Sequence, residues 1–184
     1  MDVPTNWPNW DLFIIVFFSI IIFYSLMIGK SQTIKIILSS YISILASDAI
    51  GNLIAKMPKI FVTGQSDKNF IVIKISIFVF LTLILTVRGA FNISIAEEKS
   101  GLMKIMMGVS YGVLSAALIV STILVYVSGA SLMYSENFFS QNPFDEIVEK
   151  SKLVRIMVNY YSVWFSLPVL TFLVTSLFAN EQRN

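Results

Sequence analysis

Two ionisable side chains lie inside apolar stretches, where they could bind or move charge. Asp48 is near the middle of the segment 33–55, and Lys74 is in the second turn of the segment 70–87. A charged group within a bilayer needs protein or water around it, and Asp at the centre costs about 2.5–3.5 kcal/mol on an insertion scale. Lys74 allows two interpretations: its long stem extends to the membrane interface, which its position favours, or it forms a buried ion pair with Asp48. Both residues are candidates for an intramembrane polar site.

The residue types behind most metal, redox and thiol chemistry are missing. The chain has no His and no Cys, which removes the usual ligands of zinc, haem and iron–sulfur clusters, thiol nucleophiles and disulfides. Adjacent carboxylates occur at 97–98 and 145–146, but neighbours on a helix point in different directions. No His is available to activate Ser47 or Ser110 as a nucleophile. The sequence therefore predicts no catalytic residue, cofactor or metal site, and we expect a protein that is not an enzyme.

The composition is typical of a membrane protein. Of the 184 residues, 56% are hydrophobic and 13% are charged, whereas soluble domains carry roughly 25% charged residues. The net charge of +2 is too small to indicate a nucleic-acid partner. We expect one domain, residues 1–184, with an all-α integral membrane fold in contact with the lipid bilayer: a bundle of about four membrane-embedded helices plus an interfacial or kinked C-terminal helical segment.

Four apolar stretches carry the predicted spans, at residues 12–28, 33–55, 70–87 and 102–128. Trp7 and Trp10 precede the first span, and Lys30 and Lys35 follow it. Aromatic residues on entry and positive charge on exit indicate an uncleaved anchor whose N-terminus lies outside the cytoplasm.

The second stretch, 33–55, carries conflicting signals. Its length favours a span. However, four spans with an external N-terminus leave more basic residues outside the cytoplasm than inside it, which fits the positive-inside tendency poorly. A segment that enters and leaves on the cytoplasmic side fits the charges better, so crossing and re-entry both stay open.

The C-terminal part is less regular. We expect a loop at 129–152, followed by an apolar segment at 153–179. Tyr160 and Tyr161 favour the headgroup level, and Pro168 is expected to interrupt the helix halfway. An interfacial helix followed by a dipping segment and a kinked fifth span are both compatible with this pattern.

Small residues recur at every fourth position in two of the apolar stretches. The first, which we call the serine ladder, consists of Ser39, Ser43, Ser47 and Gly51 in the second stretch. The other, which we call the glycine ladder, consists of Gly108, Gly112 and Ala116 in the fourth. Helical geometry places such residues on one face, where their short side chains let another helix approach closely. The ladders therefore predict helix-packing faces.

Three short motifs occur in order along residues 9–166: Trp10-Asp11 entering the first span, Gly29-Lys30 after it, and Gly108 with Gly112 opening the fourth. In this order the chain resembles the bacterial colicin V production (CvpA) family. The resemblance implies a small multi-pass protein of the bacterial inner (plasma) membrane with about four spans. It also implies a role in producing or exporting a peptide toxin and in envelope upkeep, without established catalytic residues.

Two functions follow from these features. The favoured one is an accessory or scaffold protein that supports toxin production, toxin export or envelope homeostasis through helix–helix association, as a homo-oligomer or with other membrane proteins. The alternative is an oligomeric channel or transporter subunit, whose polar path would include Asp48, Lys74 and the serine ladder.

Overall fold

The computed structural model describes residues 10–56, 67–88, 101–127 and 151–181. These stretches form five helices: α1 (Trp10–Lys56), α2 (Asp67–Val87), α3 (Gly101–Val127), α4 (Lys152–Asn159) and α5 (Tyr161–Glu181). The described residues contain no strand, and the expected all-α class is confirmed for them.

Helix α1 consists of two arms that meet at Gly29. This residue has φ 79° and ψ 171°, a conformation that is essentially restricted to glycine. Close to it, the hydroxyl oxygens of Ser25 and Thr33 are 2.8 Å apart, and the Thr33 hydroxyl donates to the Gly29 carbonyl at 3.0 Å. We call residues 10–28 the first arm and residues 30–56 the second arm.

Helix α3 packs against both arms and shows that they fold back on each other. Gly108 of α3 lies beside Leu26 of the first arm, and Gly112, one turn later, lies beside Ile22, so these contacts run backward along the first arm. Near the end of α3, the Tyr126 hydroxyl lies 2.7 Å from the Ser47 hydroxyl of the second arm. Helix α3 is therefore antiparallel to the first arm and parallel to the second, and α1 is a hairpin.

Two apolar clusters hold the helices together. The first joins the first arm, α3 and α4 through Ile14, Ala117, Val120, Leu124, Val154, Met157 and Val158. The second joins the second arm, α2 and α3 through Ile34, Ile37, Ile44, Phe78, Tyr111, Leu118 and Tyr126. Each cluster contains residues of α3, so this helix is the centre of the bundle.

The outer surface is strongly apolar. Large exposed side chains include Phe13, Ile20, Phe23 and Met27 on the first arm, Val72, Phe80 and Leu83 on α2, and Leu170 and Leu173 on α5. Among the described residues, three helices are long and apolar enough to cross a membrane, or four if α4 and α5 together form one broken span. This surface is compatible with a membrane bundle.

The C-terminal break is at Tyr160 rather than at Pro168. Helices α4 and α5 differ in direction by 64° at this residue, whose φ of −104° and ψ of 25° end α4. Pro168 lies inside α5, which continues to Glu181; the expected interruption at Pro168 is therefore wrong. One proline removes a single backbone hydrogen bond, and packed neighbours let a membrane helix tolerate that loss.

Two other expectations change at the edges of the described residues. Lys152 begins α4, so it does not belong to the loop expected at 129–152; residues 128–150 lie outside the described stretches, as do the carboxylate pairs at 97–98 and 145–146. Residues 30–56 form one uninterrupted helical arm, with no break at which a re-entrant segment would turn back.

Candidate functional site

A buried ion pair joins the second arm to α2. The Lys74 ammonium lies 3.0 Å from Oδ1 of Asp48, and the two residues are 5% and 0% exposed. The favoured interpretation, in which Lys74 extends to the interface, is therefore wrong. The reason is tertiary: α2 packs beside the second arm and brings the lysine stem across the carboxylate.

Gly51 provides the space for that lysine stem. A Cβ atom at Gly51 would lie 2.6 Å from Cε and 2.8 Å from Cγ of Lys74, well inside van der Waals contact. Gly51 follows Asp48 by less than one helical turn, so both residues lie on the same side of the arm. Gly51 of the serine ladder thus accommodates a charged side chain rather than the backbone of another helix.

Aromatic and hydroxyl groups surround the ion pair. The Lys74 ammonium lies 5.1 Å from the ring centroid of Phe70 and 5.8 Å from that of Tyr126, within the range of cation–π attraction. The Tyr126 hydroxyl lies 2.7 Å from the Ser47 hydroxyl and donates to the Ile44 carbonyl at 3.2 Å. We call Ser47, Asp48, Lys74 and Tyr126 the polar cluster.

The polar cluster lies near one end of the bundle. Tyr126 is the last residue but one of α3, and the rise from Lys30 to Asp48 is about 27 Å at about 1.5 Å per residue. Asp48 and Gly29 therefore lie at opposite ends of the bundle, separated by a length close to the roughly 30 Å thickness of a bilayer core. We call these two ends the Asp48 end and the Gly29 end.

A cavity of about 390 Å³ opens beside the polar cluster, between the second arm and the start of α5. Its lining consists of Tyr41, Ile44, Leu45, Asp48, Tyr161, Ser162, Phe165 and Ser166. The Tyr41 hydroxyl donates to the Phe165 carbonyl and closes one side of it. Asp48 lines this cavity although its side chain is paired with Lys74.

The serine ladder is buried inside the chain. Ser39, Ser43 and Ser47 are all 0% exposed. Ser47 is part of the polar cluster, whereas the hydroxyls of Ser39 and Ser43 have no hydrogen-bond partner among the described residues. An unsatisfied buried hydroxyl is unfavourable, so these two serines contribute through their small size.

The glycine ladder faces the first arm of the same chain. A Cβ atom at Gly112 would lie 2.9 Å from Cβ of Ser25 and 3.1 Å from Cα of Ile22. The Ser25 hydroxyl donates to the Gly108 carbonyl at 2.8 Å, and Ala116 is fully buried. The described contacts of both ladders are thus made within the chain.

Asp11 has a structural role that the sequence analysis missed. Its carboxylate accepts hydrogen bonds from the Ser151 hydroxyl at 2.6 Å and from the Leu153 backbone N–H at 3.0 Å. The Ser151 hydroxyl accepts from the Val154 N–H at 3.1 Å and caps α4. A serine directly before an amphipathic stretch is the sequence signal for this cap, but the contribution of Asp11 depends on the fold.

Among the described residues, no group of three or more His, Cys, Asp or Glu could hold a metal ion. Comparison with known proteins gives no match to a family model, a curated protein or a solved structure. The geometry of the polar cluster and of the two ladders is therefore the basis for a functional assignment.

Proposed function

We propose that the protein is a non-enzymatic, multi-pass accessory or scaffold protein of the bacterial inner membrane. One observation carries this proposal. The small-residue ladders and the Asp48–Lys74 pair are buried between helices and arms of the bundle, while large apolar side chains point outward. A bundle built in this way holds its own shape and offers lipid or neighbouring helices an apolar surface.

The outer face of the first arm is the surface that we assign to association. It consists of Phe13, Ile20, Phe23 and Met27, all of them exposed. Aromatic and methionine side chains provide large contact areas and adapt to irregular surfaces. In this proposal a second copy, or a helix of another membrane protein, packs against this face in support of peptide-toxin production or export, or of envelope upkeep, as the resemblance to the CvpA family implies.

Cysteine cross-linking tests the association face, because the native chain has no Cys. Phe23→Cys, at a position 67% exposed on the first arm, is compared with Phe80→Cys, at a position 64% exposed on α2. We expect oxidation in native membranes to cross-link the Phe23→Cys chain and not the Phe80→Cys chain. Equal cross-linking of both would contradict a specific face, and cross-linking of neither would contradict association between copies through this face.

Thiol labelling tests membrane insertion and orientation. Single cysteines replace Gly64, between α1 and α2 in the sequence, Ser94, between α2 and α3, and Ala130, which follows α3. With the N-terminus outside, an impermeant reagent applied to spheroplasts labels positions 64 and 130, and labels position 94 only after lysis. Labelling of all three positions before lysis would rule out a bundle that spans the membrane.

A channel or transporter subunit is the second candidate, since Asp48 lines a cavity while pairing with Lys74. Intramembrane ionisable residues commonly mark ion pathways. The test is ion flux through liposomes that contain the purified protein or its Asp48→Asn variant. Flux that depends on Asp48 would favour the channel, whereas flux no higher than in empty liposomes favours the scaffold.

A further inference from the structure

Three buried hydroxyl groups in the bundle have no hydrogen-bond partner among the described residues. They belong to Ser39, Ser43 and Ser115, each 0% exposed. Unpaired buried polar groups are rare in folded proteins, and a bound water molecule is a common explanation for one. Lipid makes the requirement stricter, because it offers no hydrogen bonds. Alanine would give the same close approach without an unpaired hydroxyl, so small size alone does not explain three serines.

These three hydroxyls do not make the local bond that other hydroxyls in the helices make. A serine or threonine within a helix can donate to the carbonyl four residues earlier. Examples at 2.7–2.9 Å are Ser40, Ser76, Ser110 and Thr122. Ser39, Ser43 and Ser115 have the same option and do not use it. Their hydroxyl groups therefore point away from that carbonyl.

On the second arm, the two unpaired hydroxyls face α3. Ser39 and Ser43 precede Ser47 by about two helical turns and one turn, so the three side chains lie on one side of the arm. The Ser47 hydroxyl lies 2.7 Å from the Tyr126 hydroxyl, which shows that this side is turned towards α3. All three serines are 0% exposed, as expected for a face that packs against another helix.

On α3, the third unpaired hydroxyl faces the second arm. Ser115 follows Tyr111 by about one turn and precedes Leu118 by about one turn, so the three side chains share a side of the helix. Both neighbours belong to the second apolar cluster, which includes residues of the second arm. We call the interface between the second arm and α3 that the three unpaired hydroxyls line the seam.

Hydrogen-bonded polar groups mark both ends of the seam. At the Asp48 end it meets the polar cluster, and Asp48 itself lines the cavity of about 390 Å³. At the Gly29 end, the hydroxyls of Ser25 and Thr33 lie 2.8 Å apart, and Ser25 donates to the Gly108 carbonyl of α3 at 2.8 Å. The seam therefore connects two polar groups near opposite ends of the bundle.

The spacing of the hydroxyls suits single water molecules between them. Ser39 and Ser43 are separated by about 6 Å along the arm, at about 1.5 Å per residue. On α3, Ser115 lies about 16 Å before Tyr126. On the parallel second arm this level is between Thr33 and Ser39, where the spacing of the hydroxyls is widest. One water molecule that makes two hydrogen bonds of about 2.8 Å spans about 5.6 Å.

We infer that the seam binds a row of water molecules, which bridge its hydroxyl groups from the polar cluster to the Ser25–Thr33 pair. Each water molecule bonds to polar groups of both helices. It thereby satisfies both faces and fixes the register between the second arm and α3. This inference goes beyond the proposed scaffold role and does not depend on the association face.

Water-edited solid-state NMR tests the inference on the full chain in lipid bilayers. Magnetisation is transferred from water protons to isotope-labelled serine side chains, and its build-up reports how close water lies. We expect Ser39, Ser43 and Ser115 to gain signal several-fold faster than Ser40. Ser40 is the matched control, because it is also 0% exposed on the second arm but donates to the Ile36 carbonyl.

Removal of one hydroxyl gives a second, thermodynamic test. Ser43→Ala should interrupt the row, so the water-derived signal of Ser39 and the SDS concentration at half-unfolding should both fall. In a dry seam the same change removes an unpaired hydroxyl, which should raise that SDS concentration instead. Ser40→Ala is the control variant and should leave the water-derived signal of Ser39 unchanged.

Two NMR results would overturn the inference. Build-up at all three seam serines as slow as at Ser40, while Ser162 and Ser166 beside the cavity gain signal quickly, would show that the seam is dry. Fast build-up at only one or two of the three would show isolated water molecules rather than a row. Cross-linking through Phe23→Cys is independent of both results, so failure of this inference leaves the proposed scaffold function standing.

Discussion

Two interfaces in this bundle use glycine in different ways. At Gly112, the missing side chain lets α3 approach the backbone of the first arm, since a Cβ atom would lie 3.1 Å from Cα of Ile22. At Gly51, the missing side chain makes room for the stem of Lys74, which reaches Asp48 across the second arm. The first interface is a close backbone contact, and the second contains a buried charge pair.

The difference matters because the two contacts depend on different physical terms. In lipid, burial of apolar surface contributes little to helix association, so a close backbone contact gains from dispersion and fails when the helices separate. A buried ion pair gains little as a pair but costs much when one partner is lost. The interface with the Asp48–Lys74 pair should therefore lose more stability when one charge is removed. The Gly112 interface should lose more stability when a methyl group is added to its glycine.

The largest effect is expected from Lys74→Met. This change leaves Asp48 buried without its cation, and loss of one partner of a buried pair costs about 3–5 kcal/mol. The measurement is the free energy of unfolding by SDS titration in mixed micelles, followed by tryptophan fluorescence. The double variant Asp48→Asn with Lys74→Met removes both charges and should recover most of the loss. A single variant as stable as the parent chain would show that the pair is solvated.

An intermediate effect is expected from Gly112→Ala. The new methyl group meets Cβ of Ser25 and the Ile22 backbone, neither of which can rotate away, so α3 and the first arm must separate at a cost of about 1–3 kcal/mol. Gly108→Ala is the matched control, because its closest contact is the flexible end of Leu26 at 3.0 Å. Equal losses of unfolding free energy for the two variants would contradict a backbone contact specific to Gly112.

The smallest effect is expected from Gly51→Ala. The methyl group meets side-chain atoms of Lys74, so the lysine can shift at a cost of about 1 kcal/mol, the lower end of the overpacking range. The cost should fall further in the Asp48→Asn, Lys74→Met background, where no ion pair is disturbed. If Gly51→Ala destabilises the parent chain more than Gly112→Ala does, the ranking of the two interfaces is reversed.

Much of the helical arrangement could be predicted from local patterns. The stretches expected at 70–87 and 102–128 correspond to α2 and α3 within a few residues, because apolar length alone requires a helix in lipid. The chain reversal at Gly29 was also accessible, since glycine is the residue that adopts its backbone conformation. Local composition did not identify the break at Tyr160, where the fold turns α5 away from α4.

The sequence by itself determined a helical chain with an apolar surface, two ladders of small residues and two ionisable groups inside apolar stretches. These are properties of residue type and spacing, and they need no knowledge of neighbours. Only the tertiary structure decided that Lys74 pairs with Asp48, that Gly51 accommodates its stem, and that Asp11 caps α4. Each of these contacts joins residues from different helices or arms. Its geometry depends on how the helices pack, which the one-dimensional pattern does not specify.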